Sequence, residues 1–140
     1  MNDSPLSEQR FVWPVRVYYE DTDSAGVVYY ANYLRYFERA RTEWLRALGF
    51  EQTDLAVQLG VLFVVRSIHV EYLAPARFND ALVVSVELGD VGASQIVMIQ
   101  RVLRGDDMLV EARVRVACVN MAAMKPVRIP KPLSTKIREK

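Results

Sequence analysis

Histidine and cysteine are nearly missing from this 140-residue chain, which holds one of each, His69 and Cys118. A lone cysteine excludes an internal disulfide, and one histidine with one cysteine cannot build a zinc cage or another imidazole-rich metal site. An excess of one charge is missing too: 18 basic against 17 acidic residues leave +1, without the basic footprint of a nucleic-acid binder. No run approaches the ~20 apolar residues of a membrane helix; the longest, such as Val61 to Val65, are strand-sized. The opening stretch carries Asp3, Glu8 and Arg10 and lacks the apolar segment of a signal peptide, so a cytoplasmic location is expected. Chemistry is left to carboxylates, hydroxyls, backbone dipoles or an external group.

What is present is a 51% apolar composition, enough for a single core and one domain. The near-neutral balance hides an asymmetry. The chain up to Met124 is slightly acidic, whereas the tail from Lys125 holds six basic residues and one acid. Trp13 to Tyr19 alternates as a strand. From about Val28 the period changes: Tyr29, Tyr33, Phe37, Ala40, Trp44 and Leu48 recur at steps of four and three, the spacing of one helix face. Arg39 and Glu43 are spaced for an i,i+4 pair on the other side, and Gly49 suits the left-handed position that ends a helix of about twenty residues. A short second helix is expected, capped by Thr53 or Asp54 and stopped by Gly60. Four Val- and Ile-rich strands follow, Leu62 to Ala74, Ala81 to Leu88, Ser94 to Leu103 and Met108 to Val119. Pro126, Pro130 and Pro132 predict an extended edge segment for the tail. Strand, long helix and four strands imply an α+β domain, a five-stranded antiparallel sheet with a helix on one face, and its open edges predict dimerisation.

The densest polar cluster is Glu20-Asp21-Thr22-Asp23-Ser24-Ala25-Gly26, between the first strand and the long helix. The leading amides of a helix lack intrahelical partners and carry partial positive charge, so they can stabilise an oxyanion. A carboxylate such as Asp23 can then face that site across a reacting carbonyl. On the local sequence alone, helix capping by Asp21, Asp23 or Ser24 is the competing role.

The stretch from Val15 to Glu43, with its Asp-x-Asp-x-x-Gly-x-Val core and the Glu-Arg-Ala-Arg that follows, resembles the signature of the 4-hydroxybenzoyl-CoA thioesterase family of hotdog-fold proteins. It is most similar there to the bacterial acyl-CoA thioesterases associated with the Tol-Pal gene cluster. The likeness continues through Phe63 to Arg66, Val70 to Arg77, Asp80 and Met124 to Pro126. It implies a hotdog fold, in which the five-stranded sheet wraps one long central helix, and hydrolysis of an acyl-CoA to free acid and coenzyme A. No separate cofactor is implied, because coenzyme A is part of the substrate. Asp23 matches the family's catalytic carboxylate, as nucleophile or as general base, and the Tyr30 backbone N–H matches its oxyanion donor. Because a thioester carbonyl is electrophilic and its thiolate leaves readily, a weakly basic carboxylate suffices. Many relatives carry histidine at Tyr30, and some carry basic residues where this chain reads Val91-Gly92-Ala93-Ser94. Candidates for the coenzyme A phosphates are therefore Arg101, Arg104, Lys125 and Arg128.

Glu38 is the other carboxylate to weigh, since some hotdog thioesterases use an acid on the central helix; pairing with Arg41 or a dimer contact is its structural role. His69 reads as a packed or interfacial residue. The long helix holds no histidine, which argues against a dehydratase. The non-enzymatic rival is an acyl- or lipid-carrier binding scaffold of the same fold. The expected partners are an acyl-CoA and further copies of the chain, as a homodimer or homotetramer, with an anionic lipid or a carrier protein for the basic tail.

Overall fold

The computed structural model describes residues 10–138. A short polar N-terminal arm, expected from the sequence over about residues 1–11, falls outside the described residues up to Gln9, as do Glu139 and Lys140 at the tail. The elements are β1 (Phe11–Arg16), α1 (Asn32–Ala47), α2 (Gln52–Leu59), β2 (Val61–Tyr72), β3 (Ala81–Val91), β4 (Gln95–Arg104), β5 (Asp107–Asn120) and α3 (Lys131–Arg138). The strands form one antiparallel sheet in the order β1-β3-β4-β5-β2. Short turns join β3 to β4 and β4 to β5, so these strands are neighbours in chain and in space.

Helix α1 lies on one face of the sheet with its predicted stripe inward. Tyr33, Tyr36, Phe37, Ala40, Trp44 and Leu45 are buried against sheet residues that include Val84, Met98, Val102 and Val114. The helix ends as its glycine requires. Gly49 takes φ +98°, its amide bonds the Arg46 carbonyl, and the Phe50 amide bonds the Leu45 carbonyl, a Schellman closure. This is the hotdog arrangement that the resemblance implies.

Several local expectations are corrected. The helix starts at Asn32 and not near Val28, because Val28 donates to the Ala76 carbonyl and bridges Thr22; Tyr29 therefore leaves the stripe and is 47% exposed. β1 stops at Arg16, and a turn of 3₁₀ helix occupies Tyr19–Asp21. Glu51, not Thr53 or Asp54, precedes α2, with no side-chain cap. Glu43 pairs with Arg46 and not with Arg39, whose guanidinium lies 5.9 Å from the Tyr36 ring centre.

The tail is not simply extended. After Pro126 bridges Val119, the chain forms α3, whose Leu133 and Ile137, one helical turn apart, are buried. Pro130 accepts the first helical amides, from Leu133 and Ser134, and Pro132 sits in the first turn, where a missing N–H costs nothing. The prolines that argue against a strand are thus compatible with a helix start. Leu133→Ala should lower unfolding free energy by about 2–4 kcal/mol, and Lys136→Ala, on the exposed face, should stay within ~0.5 kcal/mol. Urea denaturation checks both, and equal midpoints for the two variants would show that α3 is not anchored.

Candidate functional site

The turn that carries Asp23 is closed by local pairing and anchored by one distant segment. Thr22 bridges Val28, the Asp23 amide donates to the Val27 carbonyl at 2.9 Å, and Gly26 turns the chain at φ +81°. Val27 bridges Arg77 on its other side. The Asp23 carboxylate is exposed, and its Oδ1 accepts the Ala25 amide at 2.9 Å. These contacts fix the turn with Asp23 exposed on it.

Asp21 ties this turn to the helix. Its carbonyl accepts the Tyr29 amide at 2.9 Å and the Asn32 side-chain amide at 2.8 Å, while its carboxylate accepts the Tyr18 amide. The Tyr36 hydroxyl, fully buried, lies beside that carboxylate without a well-directed hydrogen bond; burial first, then the carboxylate, push the phenol well above its ordinary pKa. The tight turn into α1 leaves over the two amides that precede the helix. Asn32 and Tyr33 donate to Tyr29 and Tyr30 carbonyls, whereas among the described residues the Tyr30 and Ala31 amides have no hydrogen-bond partner. Unpaired N–H groups at the positive end of a sixteen-residue helix are suited to a carbonyl oxygen gaining charge. Tyr29 links the two groups: its phenol is pushed up by the adjoining Tyr30 hydroxyl and, more weakly, by the Asp23 carboxylate.

An apolar recess adjoins Tyr30. A cavity of about 260 Å³ is lined by Val28, Tyr30, Tyr33, Tyr72, Leu73 and Pro75 among others. Tyr72 stands edge-on to Tyr30 and donates weakly to its carbonyl at 3.4 Å. A larger cavity, about 1000 Å³, lies at the other end of α1 beside Arg10 and Arg138, the first and last described residues. It is far from the Asp23 turn.

The other expected residues separate. Arg101 points to the face of β4 opposite Gln100 and is held by Glu111 at 2.8 Å and Glu87 at 3.2 Å. Lys125 and Arg128 are exposed on a segment fastened to Asn120 and Ala93. That segment lies at the Val61 end of β2, a strand's length (roughly 40 Å) from the Tyr72 end near the turn. Arg104 is close: it holds Asp80 at 2.8 Å, and Asp80 in turn accepts the Arg77 amide. Arg77, not among the sequence candidates, is thus an exposed cation paired by backbone to the Asp23 turn. Its only sequence signal was its place in the matched Val70 to Arg77 stretch. Glu38 accepts a hydrogen bond from Thr42 at 2.7 Å rather than pairing with Arg41. His69 is exposed on β2 beside Glu71 at 2.8 Å and is not packed. Lys131, Lys136 and Arg138 occupy the exposed face of α3. Among the described residues no group of three or more His, Cys, Asp or Glu is placed to hold a metal, and no helix is long and apolar enough to cross a membrane.

The Arg77–Asp80–Arg104 cluster has a pH signature. Burial would raise the Asp80 carboxyl, but the Arg77 amide and the Arg104 guanidinium outweigh it and hold the pKa below its ordinary 3.8. A depressed native pKa contributes stability above the unfolded value, lost as pH falls through the native one. The stability difference between wild type and Asp80→Asn should therefore be constant above about pH 5 and shrink below pH 3.8. Urea midpoints from pH 2 to 7 check this, and parallel profiles would refute it.

Comparison with known proteins places these features among thioesterases. A family model described as the thioesterase-like superfamily matches residues 17–137. The acyl-CoA thioesterase YbgC of Haemophilus influenzae is 49% identical over 126 residues, covering 90% of this chain and 93% of that protein. The acyl-CoA thioester hydrolase YbgC of Escherichia coli O6:H1 is 45% identical over 130 residues, covering 92% and 96%. Among solved structures, a probable thioesterase from Bartonella henselae superposes with a TM-score of 0.83 at 38% identity, over 86% of this chain and 99% of that one.

Proposed function

This chain belongs to the thioesterase-like superfamily, and from that premise we propose that it hydrolyses acyl-CoA thioesters at the Asp23 turn. The observation that carries the reading is the pair of unbonded amides at Tyr30 and Ala31 beside a turn that presents an exposed carboxylate. The thioester oxygen is received by the Tyr30 N–H at the helix end. Asp23 then attacks the carbonyl carbon to form a mixed anhydride, or deprotonates a water that attacks it; in either route the coenzyme A thiolate leaves and water supplies the new oxygen. The relatives' names, acyl-CoA thioesterase and acyl-CoA thioester hydrolase, support this substrate class.

A second copy completes the unit in this reading. β2 pairs with β5 along one edge, and its other edge, twelve residues long with Val65 and Ile68 partly exposed, has no partner among the described residues. The opposite sheet edge, β1, is short and interrupted by Pro14, a device that discourages pairing. Antiparallel pairing of two β2 edges sets the Val61 end of one copy beside the Tyr72 end of the other. Lys125 and Arg128 of one copy then approach the other's Asp23 turn, joining Arg77 and Arg104 as cations for the coenzyme A phosphates.

Asp23→Asn should lower kcat/KM for a cleaved acyl-CoA by roughly 10²–10⁴-fold and leave the melting temperature unchanged, since the side chain is exposed. Thiol-release assay and calorimetry check the two parts; full activity would remove Asp23 from the mechanism. Light scattering should return at least twice the chain mass, and a monomer at micromolar concentration would exclude the β2 pairing.

A further inference from the structure

A second cavity, about 190 Å³, lies between α1 and the inner face of the sheet, away from the Asp23 turn. Leu45, Phe63, Ile96, Met98 and Val116 make its apolar walls, and Arg41 and Glu38 contribute the charged groups. Arg41 is the unusual member. Its guanidinium is largely buried, and among the described residues it has no carboxylate within ion-pair distance; its one hydrogen bond runs from Nη1 to the Gln100 Oε1 at 3.0 Å. A buried cation with a single neutral partner is costly, and a guanidinium carries five donors in a rigid fork.

The core is also shaped to keep Arg41 where it is. Gln100 and Ser85 are the fully buried polar residues among those described, each 0% exposed. Gln100 spends its amide nitrogen on the Phe37 carbonyl at 3.1 Å and the Ser85 carbonyl at 3.4 Å, which turns its oxygen toward Arg41. A glutamine in the centre of an apolar core thus orients an arginine at an apolar cavity. Glu38, the nearby acid, is exposed and engaged by Thr42.

We propose that this cavity is an acyl subsite for the thioester held at the partner copy's Asp23 turn, which antiparallel β2 pairing brings beside Phe63 and Val65, and that Arg41, oriented by Gln100, binds a carboxylate at the far end of that acyl group, so that the preferred substrates are CoA thioesters of dicarboxylic acids. The inference rests on the hydrolase reading above and names its substrate class. The apolar walls take the methylene chain, the guanidinium fork takes the terminal carboxylate in bidentate fashion, and Gln100 is a positioning residue. Glu38 opposes the binding of an anion, so its charge moderates the preference.

The test uses CoA thioesters in pairs of equal chain length, one ending in methyl and one in carboxylate: butanoyl and succinyl, hexanoyl and adipyl, octanoyl and suberyl. Thiol release reads kcat/KM for the wild type, and calorimetry reads binding of the same pairs to D23N. The carboxylate-ended member should be favoured tenfold or more at one or more lengths in both readouts. R41M should reduce that preference by about 100-fold with the methyl-ended member unchanged or improved, R41K should fall between, and E38Q should increase it. Equal handling of both members at every length, in turnover and in binding, overturns the proposal. So does an R41M protein that loses both members alike while its assembly dissociates in light scattering, which would assign Arg41 to a contact between copies. Absence of turnover for every thioester, with the binding preference present, supports the Arg41 site and overturns the hydrolase reading instead.

Discussion

The aromatic stripe of α1 has to be removed from water, and a single helix cannot do this for itself. Tyr33, Tyr36, Phe37, Ala40 and Trp44 occupy one face of sixteen residues, and burying each of the larger ones contributes on the order of 1.5–3 kcal/mol. A curved antiparallel sheet is the surface that receives them, with Leu82, Val84, Val86, Met98 and Val114 supplied by three adjoining strands. Once the helix is seated, its two ends are fixed in space. One end closes at Gly49, and the other is tied to the Asp23 turn through the Asp21 carbonyl.

That second end is where stability and chemistry meet. The Asp21 carbonyl, shared by the Tyr29 and Asn32 donors, fastens the turn that carries Asp23 to the start of the helix. The arrangement leaves the Tyr30 and Ala31 amides, at the two positions that lead into the helix, without partners among the described residues. Neither the Asp21 nor the Asp23 side chain takes them: they bond the Tyr18 and Ala25 amides. Acidic residues before a helix most often cap it, and here the acids stabilise the turn and leave the helix end for another occupant.

The polar groups inside the core follow the same logic at a different place. Gln100 is buried among valines and methionine, where an unsatisfied amide would cost roughly 1–3 kcal/mol, and each of its bonds goes to a group on another element. Arg101, the next residue along β4, faces the other way and is neutralised by Glu87 and Glu111. Strand alternation therefore divides two adjacent polar residues between an outer ion-pair ladder and an inner network around Arg41.

The long helix, its glycine stop and the number of strands were legible in the chain, because each rests on local rules: a 3.6-residue period, a left-handed glycine and alternating β-branched residues. The Asp23 motif was legible through its resemblance to a known family's signature. The start of α1 was not, because Val28 is claimed by Ala76, a residue 48 positions away. Helix α3 was missed because proline excludes a ladder position but permits a first helical turn, and only the core that receives Leu133 and Ile137 decides between them. Arg77 beside the turn and Gln100 behind Arg41 were out of reach for the same reason: Val27 meets Arg77 and Arg41 meets Gln100 only after the sheet has closed. The sequence by itself determined the fold class and the residue types available for chemistry, since periodicity and composition are properties of the chain. Which cations gather at the turn, and which arginine has no ion-pair partner among the described residues, were decided by tertiary structure, because burial and pairing exist only once distant segments are in contact.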